Sequence, residues 1–272
     1  MQLNYTKTGD LGSVILILHG LFGNARNWQN IASYLSKNNQ VYSLDLRNHG
    51  LSAHSEDMTY QHMAEDVLEF ITAHKLGKVN LLGHSMGGKV VMHLALNYPE
   101  IVKKLIVADI APVTYPHTFS AIFTGLTELP LEQLSSRKQA EDFLLTTIKE
   151  QGVRKFLLQN LCLKSSKNNS GINGNKTNKK NQENYWRFNL PVLRENIGNI
   201  VAFPNIPIEQ TFLGKTLFLS GHESDYINDS NRKQIKNYFP SAKIVTVKGA
   251  GHWLHFEKPE VVKNILSIFL SS

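Results

Sequence analysis

The sequence predicts an α/β fold: a mostly parallel central sheet flanked by helices and carrying a helical cap. Three observations predict it. Short apolar runs alternate with segments of helical period along most of the chain. Several of these runs empty into Gly, His, Ser or Asp, at the edge where such sheets bind ligands. The rhythm fails once, between residues 112 and 210, where helical and irregular sequence separates two strand-like runs.

"SVILILHG" (13–20) is an apolar strand ending in His-Gly. Residues 27–37 are helical, with Trp28, Ile31, Ala32 and Leu35 on one face. "VYSLD" (41–45) is the next strand. Residues 59–76 place Met63, Val67, Phe70 and Ile71 on one helical stripe, with Thr59 as the cap. "KVNLLGHS" (78–85) runs as a strand into a turn, and "GGKVVMHLALNYP" (87–99) is a helix that Pro99 stops. "KKLIVADI" (103–110) is a strand. After the break come a strand at 215–221, a helix near 229–239, a strand within 242–252 and a last helix from about 259. The expected division is a core of 1–111 and 211–272, with 112–210 as a cap over the C-terminal edge of the sheet.

A chain of 272 residues with 42% hydrophobic and 19% charged residues reads as globular. The start lacks a basic segment followed by an apolar run, and "VILIL" is too short to span a bilayer. The expectation is therefore no signal peptide and no integral membrane association. A single cysteine, Cys162, excludes an internal disulfide and fits a cytoplasmic location. The net charge is +7, but residues 164–184 hold five lysines and one glutamate and so account for +4 of it. That stretch is rich in Asn and Lys and reads as a flexible polar insertion. Without interleaved aromatics it gives no base-stacking platform, so nucleic acid is not an expected partner. The histidines show no zinc-binding spacing, and no metal or cofactor is expected.

"GHSMGG" (83–88) lies between a predicted strand and a predicted helix, the context a Gly-x-Ser-x-Gly turn requires. The chain must reverse within a few residues and strain its middle position. Side chains at 83 or 87 would collide, so both are glycine. Ser85 is thereby lifted into the open over a helix N-terminus, whose N–H groups favour an oxyanion. A tolerated serine in an ordinary turn is the bland account; the strand, the helix and the partners downstream argue against it.

Together "LILHGLFGNARNW", "DLRNHGLSAHS", "LLGHSMGGKVVMHLAL", "ADIAPVTY", "WRFNLPVLRENI" and "GAGHWLHFEKPE" resemble an α/β-hydrolase. More narrowly they resemble the bacterial YbfF-type esterases and their mitochondrial ABHD11-like relatives, over nearly all the chain except 164–184. The resemblance implies the α/β-hydrolase fold and an esterase that needs no cofactor, with acyl thioesters as a further substrate class.

One oxyanion donor in this fold is the N–H after the nucleophile, here Met86, and the other comes from the loop "HGLFG" (19–23). By resemblance the second donor is Leu21, with Phe22 the alternative; His19 would hold that loop. Chain order places the base after the last strand, and His252 follows Gly-Ala-Gly there. His255 reads as structural. The acid has two candidates. Most α/β-hydrolases place it three residues beyond the glycine of "KTLFLSG", where this chain has Ser224, with Asp225 one residue late. Asp109 ends the strand after the nucleophile strand, and the YbfF-like resemblance implies that this is the acid. Asp109 is the expected acid, Asp225 the alternative, and Ser224 an assisting hydrogen-bond partner.

Asp45, Arg47 and His49 read as loop-fixing, with Arg47 able to pair with Asp45. Phe22, Phe119, Phe123, Trp186 and Phe188 are candidates for an apolar acyl pocket, although plain cap packing is the better account of any single one of the cap aromatics. The expected function is a serine carboxylesterase acting on short- to medium-chain acyl esters through an acyl-enzyme. The alternative is an acyl-CoA thioesterase with the same residues. A carbon–carbon bond hydrolase or lyase of the same fold ranks lower, and a non-enzymatic binding protein lower still. The sequence leaves the physiological substrate and the oligomeric state open.

Overall fold

The computed structural model describes residues 1–116, 119–164 and 183–272. The described residues form a seven-stranded sheet: β1 (Tyr5–Thr8), β2 (Ser13–Leu18), β3 (Asn39–Leu44), β4 (Val79–His84), β5 (Val102–Ala108), β8 (Thr216–Gly221) and β9 (Lys243–Val247). The spatial order is β1-β3-β2-β4-β5-β8-β9. Every neighbouring pair is parallel except β1 with β3. The first strand was not anticipated. "YTKT" is mostly exposed and carries no apolar alternation, so only its pairing with β3 makes it a strand.

The central strands are buried on both faces, which is why they read as continuous apolar runs. In β2, Ile15 and Ile17 face one core cluster while Leu16 and Leu18 face the other. The first face is covered by α1 (Gln29–Leu35) and α9 (Pro259–Ser271), through Ile31, Leu35, Val262 and Leu266. The second is covered by α2 (Tyr60–Ala73) and α3 (Met86–Asn97). The Thr59 side chain accepts the His62 N–H at 3.2 Å and caps α2, as its position in the sequence predicts.

Between β5 and β8 the chain leaves the sheet. It forms α4 (Ser120–Glu128), α5 (Arg137–Leu144), α6 (Gln151–Leu158), α7 (Leu190–Glu195), α8 (Ile197–Val201) and a short antiparallel pair, β6 (Leu161–Cys162) with β7 (Tyr185–Trp186). These elements share one hydrophobic cluster with the second face of the sheet. Buried hydrogen bonds fasten them further. Lys89 Nζ donates to the Val201 and Ala202 carbonyls, both at 2.8 Å. Tyr60 donates to the Ile200 carbonyl at 2.6 Å, and Asn160 Nδ2 donates to the Phe22 carbonyl at 2.7 Å. Most of the polar insertion read at 164–184 lies outside the described residues. Among the described residues no helix is long and apolar enough to cross a membrane.

Candidate active site

Ser85 joins β4 to α3 at φ 52°, ψ −118°, a conformation few non-glycine residues adopt. Its N–H donates to the Ala108 carbonyl at 3.1 Å, while its own carbonyl receives the Lys89 N–H and starts the helix. The glycines are needed sterically. A Cβ on Gly83 would stand 2.2 Å from the Gly87 carbonyl oxygen, and one on Gly87 would stand 2.5 Å from those of Leu18 and His19.

The loop after β2 is pinned by two buried histidines. His19 Nδ1 donates to the Gly20 carbonyl at 2.8 Å, and its Nε2 accepts the Leu46 N–H at 3.0 Å. His49 Nδ1 donates to the Arg47 carbonyl at 2.9 Å, and its Nε2 accepts the Phe22 N–H at 3.2 Å. Both acceptor roles require a neutral ring. Burial pushes His19 below its usual range, and pushes His49 down to about 3 with help from the neighbouring His19. The Phe22 N–H is therefore committed to His49, which removes it as an oxyanion donor. The N–H groups of Leu21 and Met86 donate to no acceptor among the described residues.

Asp109 stands immediately beyond β5 at φ 50° and is fully buried. Its Oδ1 accepts the Gly221 N–H at 2.8 Å. Its Oδ2 accepts from the Ser224 hydroxyl and from His252 Nδ1, the latter at 2.8 Å. That bond fixes the tautomer of neutral His252, with the proton on Nδ1 and the lone pair on Nε2. Asp225 and Glu223 are exposed and form no hydrogen bond or ion pair with His252. Tyr226 stacks on the His252 ring, with centroids 4.3 Å apart and planes 26° from parallel. Beneath it, His84 Nε2 donates to the His252 carbonyl at 2.8 Å. Burial, then the nearby His252, keeps His84 well below its usual range. His255 stacks on Trp28 at 4.2 Å, and burial holds it down to about 3.

Ser85 and His252 stand in the wall of one cavity of about 190 Å³. The rest of the wall is largely apolar: Leu21, Phe22, Phe119, Ile122, Val153, Phe156, Tyr226 and Trp253. Three expected pocket residues lie elsewhere. Phe123 and Phe188 pack against the far side of Phe22, with centroids at 5.5 and 5.2 Å, and Trp186 stacks on Phe188 at 5.3 Å. They are buried packing residues that support Phe22. The expected Arg47–Asp45 pair is also absent. Arg47 pairs instead with Asp66 through Nε at 2.7 Å and Nη2 at 2.9 Å. Asp45 is occupied by the Ala25 and Leu51 N–H groups at 2.7 and 2.9 Å. Both residues still fix the loop, through different partners. His84, Tyr226 and Trp253 were not anticipated; the only signal was proximity in sequence, since His84 and Trp253 adjoin Ser85 and His252 and Tyr226 lies two residues beyond Ser224. Among the described residues no cluster of His, Cys, Asp and Glu could hold a metal ion.

The arrangement brings together a strained, partly exposed hydroxyl, an imidazole with a buried carboxylate behind it, and two unengaged N–H groups beside an apolar hole. Those are the parts that nucleophilic acyl transfer requires.

A family profile described as the alpha/beta hydrolase fold matches residues 13–259. The chain is 33% identical to the Escherichia coli protein named esterase YbfF, over 95% of this chain and 93% of that one. It is 35% identical to the Xenopus laevis protein named sn-1-specific diacylglycerol lipase ABHD11, over 96% of this chain and 81% of that one. Among solved structures it is similar to one described as a marine microorganism esterase, with a TM-score of 0.88, 38% identity, and coverage of 98% of this chain and 99% of that one.

Proposed function

The chain belongs to the alpha/beta hydrolase family, and from that premise we propose that it is a serine carboxylesterase with Ser85 as nucleophile, His252 as base and Asp109 as acid. At the coarser level it is a carboxylic ester hydrolase, the activity its esterase and lipase relatives carry in their names. The observation that carries the finer reading is the hydrogen-bonded chain Ser224–Asp109–His252 ending at the cavity that also holds Ser85.

Ser85 Oγ attacks the acyl carbon and passes its proton to His252 Nε2. The oxyanion so formed accepts from the Leu21 and Met86 N–H groups; one such donor is typically worth about 2.7–4 kcal/mol of barrier. Asp109 stabilises the imidazolium, which returns the proton to the departing alcohol. Water, deprotonated by His252, then attacks the acyl-enzyme and frees the carboxylic acid and Ser85. Tyr226 and His84 keep the imidazole in place while it changes charge.

The cavity at Ser85 holds about 190 Å³, and a second of about 620 Å³ shares His252 and Tyr226 with it, which leaves room for a short to medium acyl group and its leaving group. The described residues of 112–210 act as the cap that roofs the Ser85 cavity, contributing Phe119, Ile122, Val153 and Phe156. The reading needs no cofactor, and the single cysteine suits a reducing cytoplasm. An acyl thioester would pass through the same steps with a thiol leaving group.

With p-nitrophenyl acetate, a burst of nitrophenol matching the enzyme concentration should precede the steady state, and Ser85→Ala should abolish it. A full burst in that variant would remove Ser85 from the chemistry.

A further inference from the structure

A second cleft, of about 480 Å³, lies on the other side of α6 from the candidate active site. Val153 and Phe156 of that helix face the catalytic cavity, while Lys155, Leu158 and Gln159 face the cleft. The same alternation continues on the oxyanion side, where Gly20–Phe22 line the cavity and Asn24 and Arg26 line the cleft.

The cleft is cationic. Arg26, Arg137, Lys138, Lys155 and Arg187 stand in its wall against one carboxylate, Glu141. Glu141 is turned to Arg154 at 4.0 Å, and Lys138 pairs with Asp142 at 2.7 Å. Among the described residues no Asp or Glu pairs with Arg26, Arg137, Lys155 or Arg187. Residues 165–182, outside the described ones, contain no carboxylate that could do so. Two of the guanidinium groups are already oriented. Arg137 Nη2 donates to the Leu161 carbonyl at 3.0 Å, and Arg187 Nη2 donates to Cys162 Sγ at 3.3 Å. The Arg187 Nε is buried with no partner. Unpaired arginines and a lysine converging on a concave surface match the geometry and charge of phosphate oxygens.

We propose that this cleft is a subsite for phosphate groups, holding the phosphorylated end of a substrate whose ester or thioester carbonyl lies in the adjoining cavity. The substrate part of the proposal rests on the acyl-transfer reading above; the binding part does not.

Titrating inorganic diphosphate into the full chain by calorimetry at low ionic strength should give saturable one-site binding. The double variant Arg26→Gln, Lys155→Gln, both exposed side chains, should weaken it at least tenfold and leave p-nitrophenyl acetate hydrolysis unchanged. Ser85→Ala should bind diphosphate as the unaltered chain does, so a failed nucleophile and a failed subsite give different results. Unsaturable binding, or equal binding by the double variant, overturns the site. The double variant should also lose about tenfold in kcat/KM on one of two phosphate-bearing substrates. These are a soluble acyl thioester of a diphosphate-bearing thiol and a monomeric short-chain phosphatidate. The one that loses identifies whether the phosphate belongs to a soluble leaving group or to a lipid headgroup; loss on neither overturns the substrate role.

Discussion

At the scale of single residues, burial separates two carboxylates that spacing leaves open. Asp109 is sealed from solvent and receives three donors, while Asp225 is exposed. Asp109→Asn should lower kcat by about 10⁴-fold, the order seen when a buried triad acid is neutralised and the imidazole adopts the wrong tautomer. Asp225→Asn should stay within about twofold, because a solvated loop charge is weakly coupled to the site. Steady-state kinetics on both, with circular dichroism to show that each is folded, decides the matter; equal losses would return Asp225 to candidacy. The strained turn at Ser85 was legible because such a turn needs particular glycines, and chain order narrowed the base to the two histidines after the last strand, of which His252 directly follows Gly-Ala-Gly. The supports were not legible. Tyr226 reaches His252, and His84 its carbonyl, through a stacking contact and a hydrogen bond that exist only once β4, β5, β8 and β9 lie side by side. Arg47 finds Asp66 nineteen residues away for the same reason.

At the scale of elements, the turn between β4 and α3 tolerates no added atom. Gly87→Ala must move either the Leu18–His19 backbone or the start of α3, and esterase turnover should fall at least a hundredfold, measured on soluble protein. The tie between α3 and α8 is different, since it depends on one buried amino group. Lys89→Met keeps the apolar stem and leaves the Val201 and Ala202 carbonyls without their donor. A loss of roughly 1–3 kcal/mol follows from the unpaired groups, seen as a Tm lower by several degrees. The pair β6–β7 suggests a deletion. Cys162 pairs with Tyr185, so removing residues 165–182 leaves Leu163, Lys164, Glu183 and Asn184 as a four-residue connection, a common hairpin length. The shortened chain should keep both its Tm and its p-nitrophenyl acetate turnover; loss of either would mean that the removed residues support the fold or the site. Elements with strong apolar runs were legible throughout the sheet. Between β5 and β8 the sequence read only as helical and irregular, without the bounds of the individual short helices.

At the scale of the whole molecule, four buried histidines make stability sensitive to acid. His19, His49, His84 and His255 are all kept neutral chiefly by burial, His49 and His255 down to about 3. Unfolded, each would bind a proton near its ordinary pKa of about 6.5. Below that value the unfolded chain therefore takes up more protons than the folded one, and stability falls as pH drops from about 6.5 towards 3. At about pH 5, His49 and His255 should each withdraw about 2 kcal/mol. Denaturant titrations at neutral and mildly acidic pH, with His255→Gln as the comparison, measure this; a pH-independent midpoint would show that the rings carry protons inside the fold. The alternation of strands and helices made the architecture readable, because a parallel sheet covered on both faces needs that order of chain. The placement of the carboxylate has a consequence for how such proteins are catalogued. Here the group that meets the imidazole is delivered by β5, while the customary column beyond β8 holds a hydroxyl that merely steadies it. An alignment filter demanding an acid in that column would discard this chain as a degenerate pseudoenzyme. A search keyed to interatomic distance would retain it.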